Sequence, residues 1–192
     1  MNESELLNSV AACTKTLSVW TDTFQVPEFT VLNEDIHADV CIVGAGISGI
    51  TTAYLLACAG KFVVVLDDGE IGGGETGNST AHVTSVIDDR YSRLEKIHGE
   101  DAVRMASQSQ RVAVEEIERI INKENINCDF KKTEGYLLFR PDDDTFTEEF
   151  EAAMRAGMDV SITEPPLESF KNYKVLKFPG QAKFHILKYI SA

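Results

Sequence analysis

Apolar positions along the chain change period several times, and each change marks an element. Val40 to Val43 is a short continuous apolar run and reads as a strand. Ser48 to Ala59 has Ile50, Ala53, Leu56 and Ala57 on one helical face, with Gly60 placed to cap it. Phe62 to Leu66 is a largely β-branched run, as in strands buried on both faces. Ile71 to Ser85 has no period and is rich in Gly, Ser and Thr. Asp101 to Lys123 is a long amphipathic helix with Val103, Ala106, Ala113, Ile117, Ile120 and Ile121 along one side. Cys128 to Phe130 and Gly135 to Phe139 read as strands paired around a turn near Thr133. Phe146 to Ala156 is an acidic amphipathic helix stopped at Gly157. Val160 to Ile162 and Val175 to Phe178 are short strands, the second closed by Pro179 and Gly180, and Pro165 and Pro166 break the chain between them. His185 to Ile190 reads as the first turns of a helix, too short to persist alone. Ahead of all this, Trp20, Phe24, Pro27 and Phe29 are scattered through polar residues, which predicts an arm (residues 1–37) held to a neighbouring domain by its aromatics. There is no internal repeat.

Composition narrows the class. The 192 residues carry 18 Lys and Arg against 31 Asp and Glu, a net charge of −13. At 43% apolar and 26% charged, the chain can bury a core of one domain or two small ones. The acid excess, with no basic stripe, excludes nucleic acid as a partner, because displacing counterions from phosphates needs Lys and Arg. Cys13, Cys41, Cys58 and Cys128 form no CxxC or Cys/His cluster, so no metal site is expected. They fit a reducing, cytoplasmic setting better than a disulfide framework. The N-terminus shows no basic region followed by an apolar one, so no secretory signal is read there. Cys41 to Gly60 is uncharged and long enough to span a bilayer, but Gly44, Gly46 and Gly49 and the nearby Ser48, Thr51 and Thr52 favour a strand–turn–helix and no membrane partner.

That strand–turn–helix carries the chemistry. Gly44-Ala45-Gly46-Ile47-Ser48-Gly49 is a GxGxxG between the first strand and the first helix. In such a unit the first glycine allows the turn, the second lets backbone approach a pyrophosphate, and the third lets the helix pack on the sheet. The helix N-terminus then offers N–H groups to the phosphates. The second strand ends in Asp67 and Asp68, and Asp67 stands 23 residues after Gly44, where an acid accepts from ribose hydroxyls. Two acids, with no Lys or Arg from Leu66 to Ala81, disfavour a 2′-phosphate and hence NADP. NAD and FAD both remain open on these residues, beside a glycine-rich turn with no ligand.

Ile71-Gly72-Gly73-Gly74-Glu75-Thr76-Gly77-Asn78-Ser79-Thr80-Ala81-His82 resembles the second flavin-contacting loop of the D-amino-acid-oxidase-like FAD-dependent oxidoreductases. The likeness is to a bacterial subgroup that often carries a C-terminal Rieske domain. It runs from about residue 18 to the last residue, with weaker support at Asp88 to Tyr91, Gly135 to Leu137 and Phe178 to His185. The resemblance implies an α/β fold: a Rossmann-like FAD/NAD(P)-binding βαβ unit plus part of an α+β substrate domain. It divides the chain into the arm, an FAD-binding segment (38–90), a partial substrate domain (91–184) and the start of a truncated helix (185–192).

It also implies noncovalent FAD and an amine-type substrate that delivers a hydride to the flavin. Gly44, Ala45, Gly46, Ile47, Ser48 and Gly49 would meet the pyrophosphate, with Gly74, Glu75 and Thr76 lining the pyrophosphate and ribityl region. Asp67 and Asp68 would face the ribose. Backbone groups of Thr80, Ala81 and His82 would lie near the isoalloxazine ring, where N–H donors stabilise charge on the reduced flavin. The electron acceptor, a Rieske domain or another, would lie outside these residues, which lack the CxH and CxxH ligands. Three departures from the family pattern stand out: Asp67 for Glu, Asn78 for Arg and Ile186 for Pro.

No catalytic acid, base or nucleophile can be named. Tyr91, Arg93 and His98 are candidates to face a substrate, although an exposed helix of mixed charge explains them equally. Asp142 to Asp144 reads as a solvated turn and helix cap, and Lys183 and His185 as structural. Two alternatives to the flavoenzyme are a non-catalytic dinucleotide-binding module and an NAD-dependent dehydrogenase. The dehydrogenase would need a second nucleotide half after Gly60, which the glycine-rich loop fits poorly.

Overall fold

The computed structural model describes residues 17–192. Cys13, the N-terminal signal reading and the first sixteen residues of the arm lie outside the described residues. Two compact units divide the chain, one running up to Ser79 and taking in Ile186–Ser191, the other formed by Thr80–His185.

In the first unit, β1 (Val40–Val43) pairs in parallel with β2 (Val63–Leu66), in register from Val40 opposite Val63 to Val43 opposite Leu66. Gly44 turns the chain at φ +103 and leads into α2 (Ile47–Cys58). An earlier short helix, α1 (Val19–Thr23), is capped by the Ser18 hydroxyl, which accepts from the Thr21 N–H. It interrupts an arm expected to have no regular structure. Of the arm's aromatics, Trp20 is half-buried, whereas Phe29 stays 70% exposed. The loop after β2 carries α3 (Glu75–Asn78), and α7 (Ile186–Ile190) buries Leu187 and Ile190 beside Gly72.

The expectation that β2 is buried on both faces is not met. It is half-buried throughout, Val43 of β1 is 85% exposed, and α2 has no fully buried residue. The cause is the sheet itself: two strands and one crossover helix leave a face without a covering layer.

The second unit is built on an antiparallel sheet. β6 (Lys174–Lys183) is its central strand, with β4 (Lys131–Phe139) on one side. β3 (His82–Val83) and β5 (Ser161–Thr163) also pair with β6. Packed with it are α4 (Tyr91–His98), α5 (Glu100–Glu124) and α6 (Phe146–Arg155). The core joins Tyr91, Val103, Phe139, Ala152, Ala153, Ala156, Leu176 and Phe178. The break between these units falls at Ser79/Thr80, and Val83 is tied to Ala182 in this sheet.

Three local readings change. Cys128 to Phe130 forms no strand, and no hairpin turns at Thr133; β4 is continuous and its partner is β6. Pro179 and Gly180 do not end β6. They stand together opposite Glu134, between the pairs Thr133–Gln181 and Gly135–Phe178, which is a β-bulge, with Gly180 at φ +76. A bulge absorbs a proline that a regular ladder would reject. Finally, Tyr91 is fully buried and donates to the Ser85 carbonyl at 3.3 Å. It therefore belongs to the core rather than to an exposed helix face. Burial holds its phenol above the ordinary tyrosine range.

Candidate functional site

The loop between β1 and α2 is stitched to the rest of the first unit by hydrogen bonds. Gly44 N–H donates to the Leu66 carbonyl at 2.7 Å, and Gly72 N–H to the Ala45 carbonyl at 3.1 Å. Asp67, at the end of β2, takes both flanking donors. Its Oδ2 accepts from Ala45 N–H at 2.6 Å and its Oδ1 from Gly69 N–H at 2.9 Å. These bonds, the Ala45 one foremost, hold its carboxyl below the usual carboxylate range. Asp67 thus clamps the glycine loop. Each carboxylate oxygen has a second lone pair, so the clamp leaves room to accept from a ligand hydroxyl.

Helix α2 leaves its first N–H groups without intrahelical partners. Ile50 is the first to bond back, to the Gly46 carbonyl. Thr76, from α3, takes the Ile47 N–H on its hydroxyl oxygen at 3.1 Å. Ser48 and Gly49 carry the other N–H groups of that first turn. The third glycine of the motif has a steric reason visible here: a Cβ on Gly49 would lie 1.9 Å from the Gly44 carbonyl oxygen. On Gly46 it would lie 2.9 Å from Thr76 Oγ1. The second loop is held in turn. Gly77 N–H donates to the Gly72 carbonyl at 2.7 Å, and the Trp20 indole donates to the Ser79 carbonyl at 2.8 Å. Sequence reasoning missed the clamp by Thr76 and the anchor at Trp20. No local signal pairs residues 29 and 59 positions apart.

A cleft of about 670 Å³ opens in this unit, lined by Gly46, Asp67, Asp68, Glu70, Gly72 to Gly74, Glu75 and Thr76. Of the residues singled out from sequence, Gly46, Asp67, Asp68, Gly74, Glu75 and Thr76 meet there. Gly44, Ala45, Ile47, Ser48 and Gly49 form the adjoining loop and first helical turn. Thr80, Ala81 and His82 belong to the second unit. Ala81 is buried at φ +51, and His82 is exposed with Nδ1 3.2 Å from the Thr80 carbonyl. Arg93 reaches Asp89 across 3.6 Å on an exposed face. Asp143 accepts from both the N–H and the hydroxyl of Thr145 at the start of α6.

The cleft's donors are backbone N–H groups and its acceptors are carboxylates, with no Lys or Arg in its lining. That set suits a dinucleotide whose phosphates meet backbone and whose ribose hydroxyls meet an acid. Among the described residues, no helix is long and apolar enough to cross a membrane.

Residues 39–192 match the family described as DAO, FAD dependent oxidoreductase. A Bacillus subtilis (strain 168) protein named as a Rieske 2Fe-2S iron-sulfur protein, YhfW, is 29% identical over 175 residues, 90% of this chain and 34% of that protein. Gamma-glutamylputrescine oxidoreductase of Escherichia coli (strain K12) is 36% identical over 103 residues, 54% of this chain and 24% of that enzyme. The chain thus spans about a third or less of these relatives. Among solved structures, L-amino acid deaminase from Proteus myxofaciens superposes with a TM-score of 0.67 at 14% identity, over 92% of this chain and 39% of that one. Glycine oxidase from Geobacillus kaustophilus does so at 0.61 and 17%, over 80% and 42%. These two likenesses concern the fold.

Proposed function

The chain belongs to the DAO family of FAD-dependent oxidoreductases, and from that premise we propose that it supplies the nucleotide-binding face of a flavoenzyme that oxidises an amine or amino acid. The observation that carries the reading is the cleft in which the GxGxxG loop, Asp67 and the Gly74-Glu75-Thr76 turn meet. FAD, when bound, supplies a two-electron acceptor for the hydride of the amine-bearing carbon. The chain's own residues bind and orient. Ser48 and Gly49 N–H groups would hold the pyrophosphate, Asp67 the adenosine ribose, and Glu75 and Thr76 the neighbouring part of the cofactor. Thr80 to His82 would present backbone to the flavin ring, and the remainder of the second unit would form part of the substrate-binding region. A Rieske domain as electron acceptor, outside these residues, draws support from the YhfW relative's name. A cytoplasmic location draws support from the cysteine pattern.

Denaturing the purified protein should release FAD, and anaerobic addition of amino acids or polyamines should bleach its visible bands. Release of NAD without flavin would sink the reading.

Asp67→Asn is expected to weaken FAD binding by about tenfold or more, since a hydrogen bond to a charged group is lost and the loop clamp with it. Fluorescence titration of apoprotein checks this, and an unchanged dissociation constant would remove Asp67 from the ribose. The pH dependence has a definite sign. A carboxyl whose pKa is lowered by folding stabilises the folded loop above the ordinary carboxylate range and loses that contribution as pH falls through the lowered value. FAD affinity should therefore stay level from neutral pH down to that range and fall only below it, and Asp67→Asn should flatten the fall.

A further inference from the structure

We propose that Trp20 is a positioning residue for FAD: its indole latches α1 onto α3, and closure of the latch and binding of FAD favour one another. The inference rests on the function proposed above, in which FAD is the ligand of the cleft.

Two elements too short to persist alone meet at this point. α1 has 5 residues and α3 has 4, well below the length at which an isolated helix holds in water. Each therefore depends on what it packs against. α1 rests on α3 and α7. The Trp20 indole N–H donates at 2.8 Å to the carbonyl of Ser79, the residue that caps the C-terminal end of α3. Thr21 lies beside Gly77, where a Cβ would come within 3.8 Å of the Thr21 Cγ2. After α1, residues 25–38 form no helix or strand, and all but Val26 are exposed. Side chains, not a continuing ladder, hold α1 in place.

The same small helix serves the cleft one turn earlier. Both the N–H and the hydroxyl of Ser79 donate to the Thr76 carbonyl, at 3.3 and 3.0 Å. The Thr76 hydroxyl in turn takes the Ile47 N–H at the start of α2, and Gly74, Glu75 and Thr76 line the cleft. A continuous run of hydrogen bonds therefore leads from Trp20 through Ser79 and Thr76 to the glycine loop. Trp20 does not line the cleft itself, so it acts through α3. Tryptophan suits the task, because its N–H only donates and its ring supplies a large apolar contact. Coupling between two sites is reciprocal. Whatever FAD gains from a fixed α3, the latch gains from FAD.

Trp20 is the one tryptophan of these 192 residues, so its indole N–H can be followed directly by NMR. In the purified protein, saturating FAD should slow hydrogen exchange of that indole about two- to tenfold relative to apoprotein, the range that one hydrogen bond supports. Trp20→Phe keeps an aromatic ring and loses the donor, and should raise the FAD dissociation constant by about the same two- to tenfold. Trp20→Ala should raise it further. Phe29→Ala, on the same arm at a position 70% exposed, should leave it unchanged. In a Thr76→Val background, Trp20→Phe should add less than about twofold, because both changes break one relay. The latch is overturned by an indole exchange rate indifferent to FAD, or by an unchanged dissociation constant in Trp20→Phe. Losses that multiply in the double variant overturn the route through Thr76. All three results leave the flavoprotein reading standing. A protein that neither releases nor binds flavin overturns that reading, and the latch with it.

Discussion

Gly49→Ala is expected to abolish FAD binding and to destabilise the first unit by about 2 kcal/mol or more. A methyl group there would lie 1.9 Å from the Gly44 carbonyl oxygen and 3.4 Å from Ile42 Cγ2. The first distance is far inside contact. The obstacle is backbone and cannot rotate away, so α2 must lift from the β1–α2 turn. Overpacking of this kind costs about 1–3 kcal/mol or more, against which alanine's helix preference returns at most about 1 kcal/mol. The displaced helix start carries Ser48 and the clamped Ile47, so nucleotide binding fails together with stability. Urea unfolding and FAD titration of the same variant check both halves. A variant that binds FAD normally would show that the helix start is not pressed on the loop.

Glu149→Ala should be the most damaging change in the second unit. Glu149 lies on α6 with 2% of its surface exposed. Its Oε1 accepts from Tyr91 N–H at 2.9 Å. Its Oε2 accepts from Ser92 N–H at 3.0 Å and from the Ser92 hydroxyl at 2.7 Å. One carboxyl group thus caps the start of α4, whose preceding residue, Arg90, sits at φ +69 and offers no side-chain cap. Alanine would strand two buried N–H groups and a hydroxyl. Each orphaned buried donor costs about 1–3 kcal/mol, not additively, so a total loss of about 3 kcal/mol or more is expected. That is a large share of the 5–15 kcal/mol that holds a domain folded. The urea midpoint should fall with an unchanged slope, and Glu149→Gln, which keeps one acceptor, should fall less. A midpoint shift near zero would mean that α4 is capped by other groups.

Glu149 shows why part of the molecule is illegible in the sequence. It sits in the run Thr147-Glu148-Glu149-Phe150-Glu151, which reads as a solvated acidic face. Its partners are 57 and 58 residues away, and no spacing within α6 points to them. The place of Tyr91 is illegible for the same reason. Between charged neighbours it resembles a surface residue, yet it is at the centre of the core. By contrast, β1, α2 and β2 were readable to within a residue at each end, because a strand, a tight turn and a helix each leave a local period or a glycine. The glycines of the cleft were readable because backbone geometry restricts the residue there. The hydroxyl of Thr76 was not, since any of several nearby polar groups suits such a loop equally.

Order along the chain was enough for the βαβ unit, the glycine loop with its acid and the long helix α5. Those features depend on interactions over a few residues. Which strand pairs with which, that Pro179 and Gly180 bend β6 instead of ending it, which carboxyl caps α4, and that Lys131 and Lys183 face each other were settled only by folding. Each joins residues far apart in sequence, and their meeting depends on the register of a whole sheet rather than on any local preference.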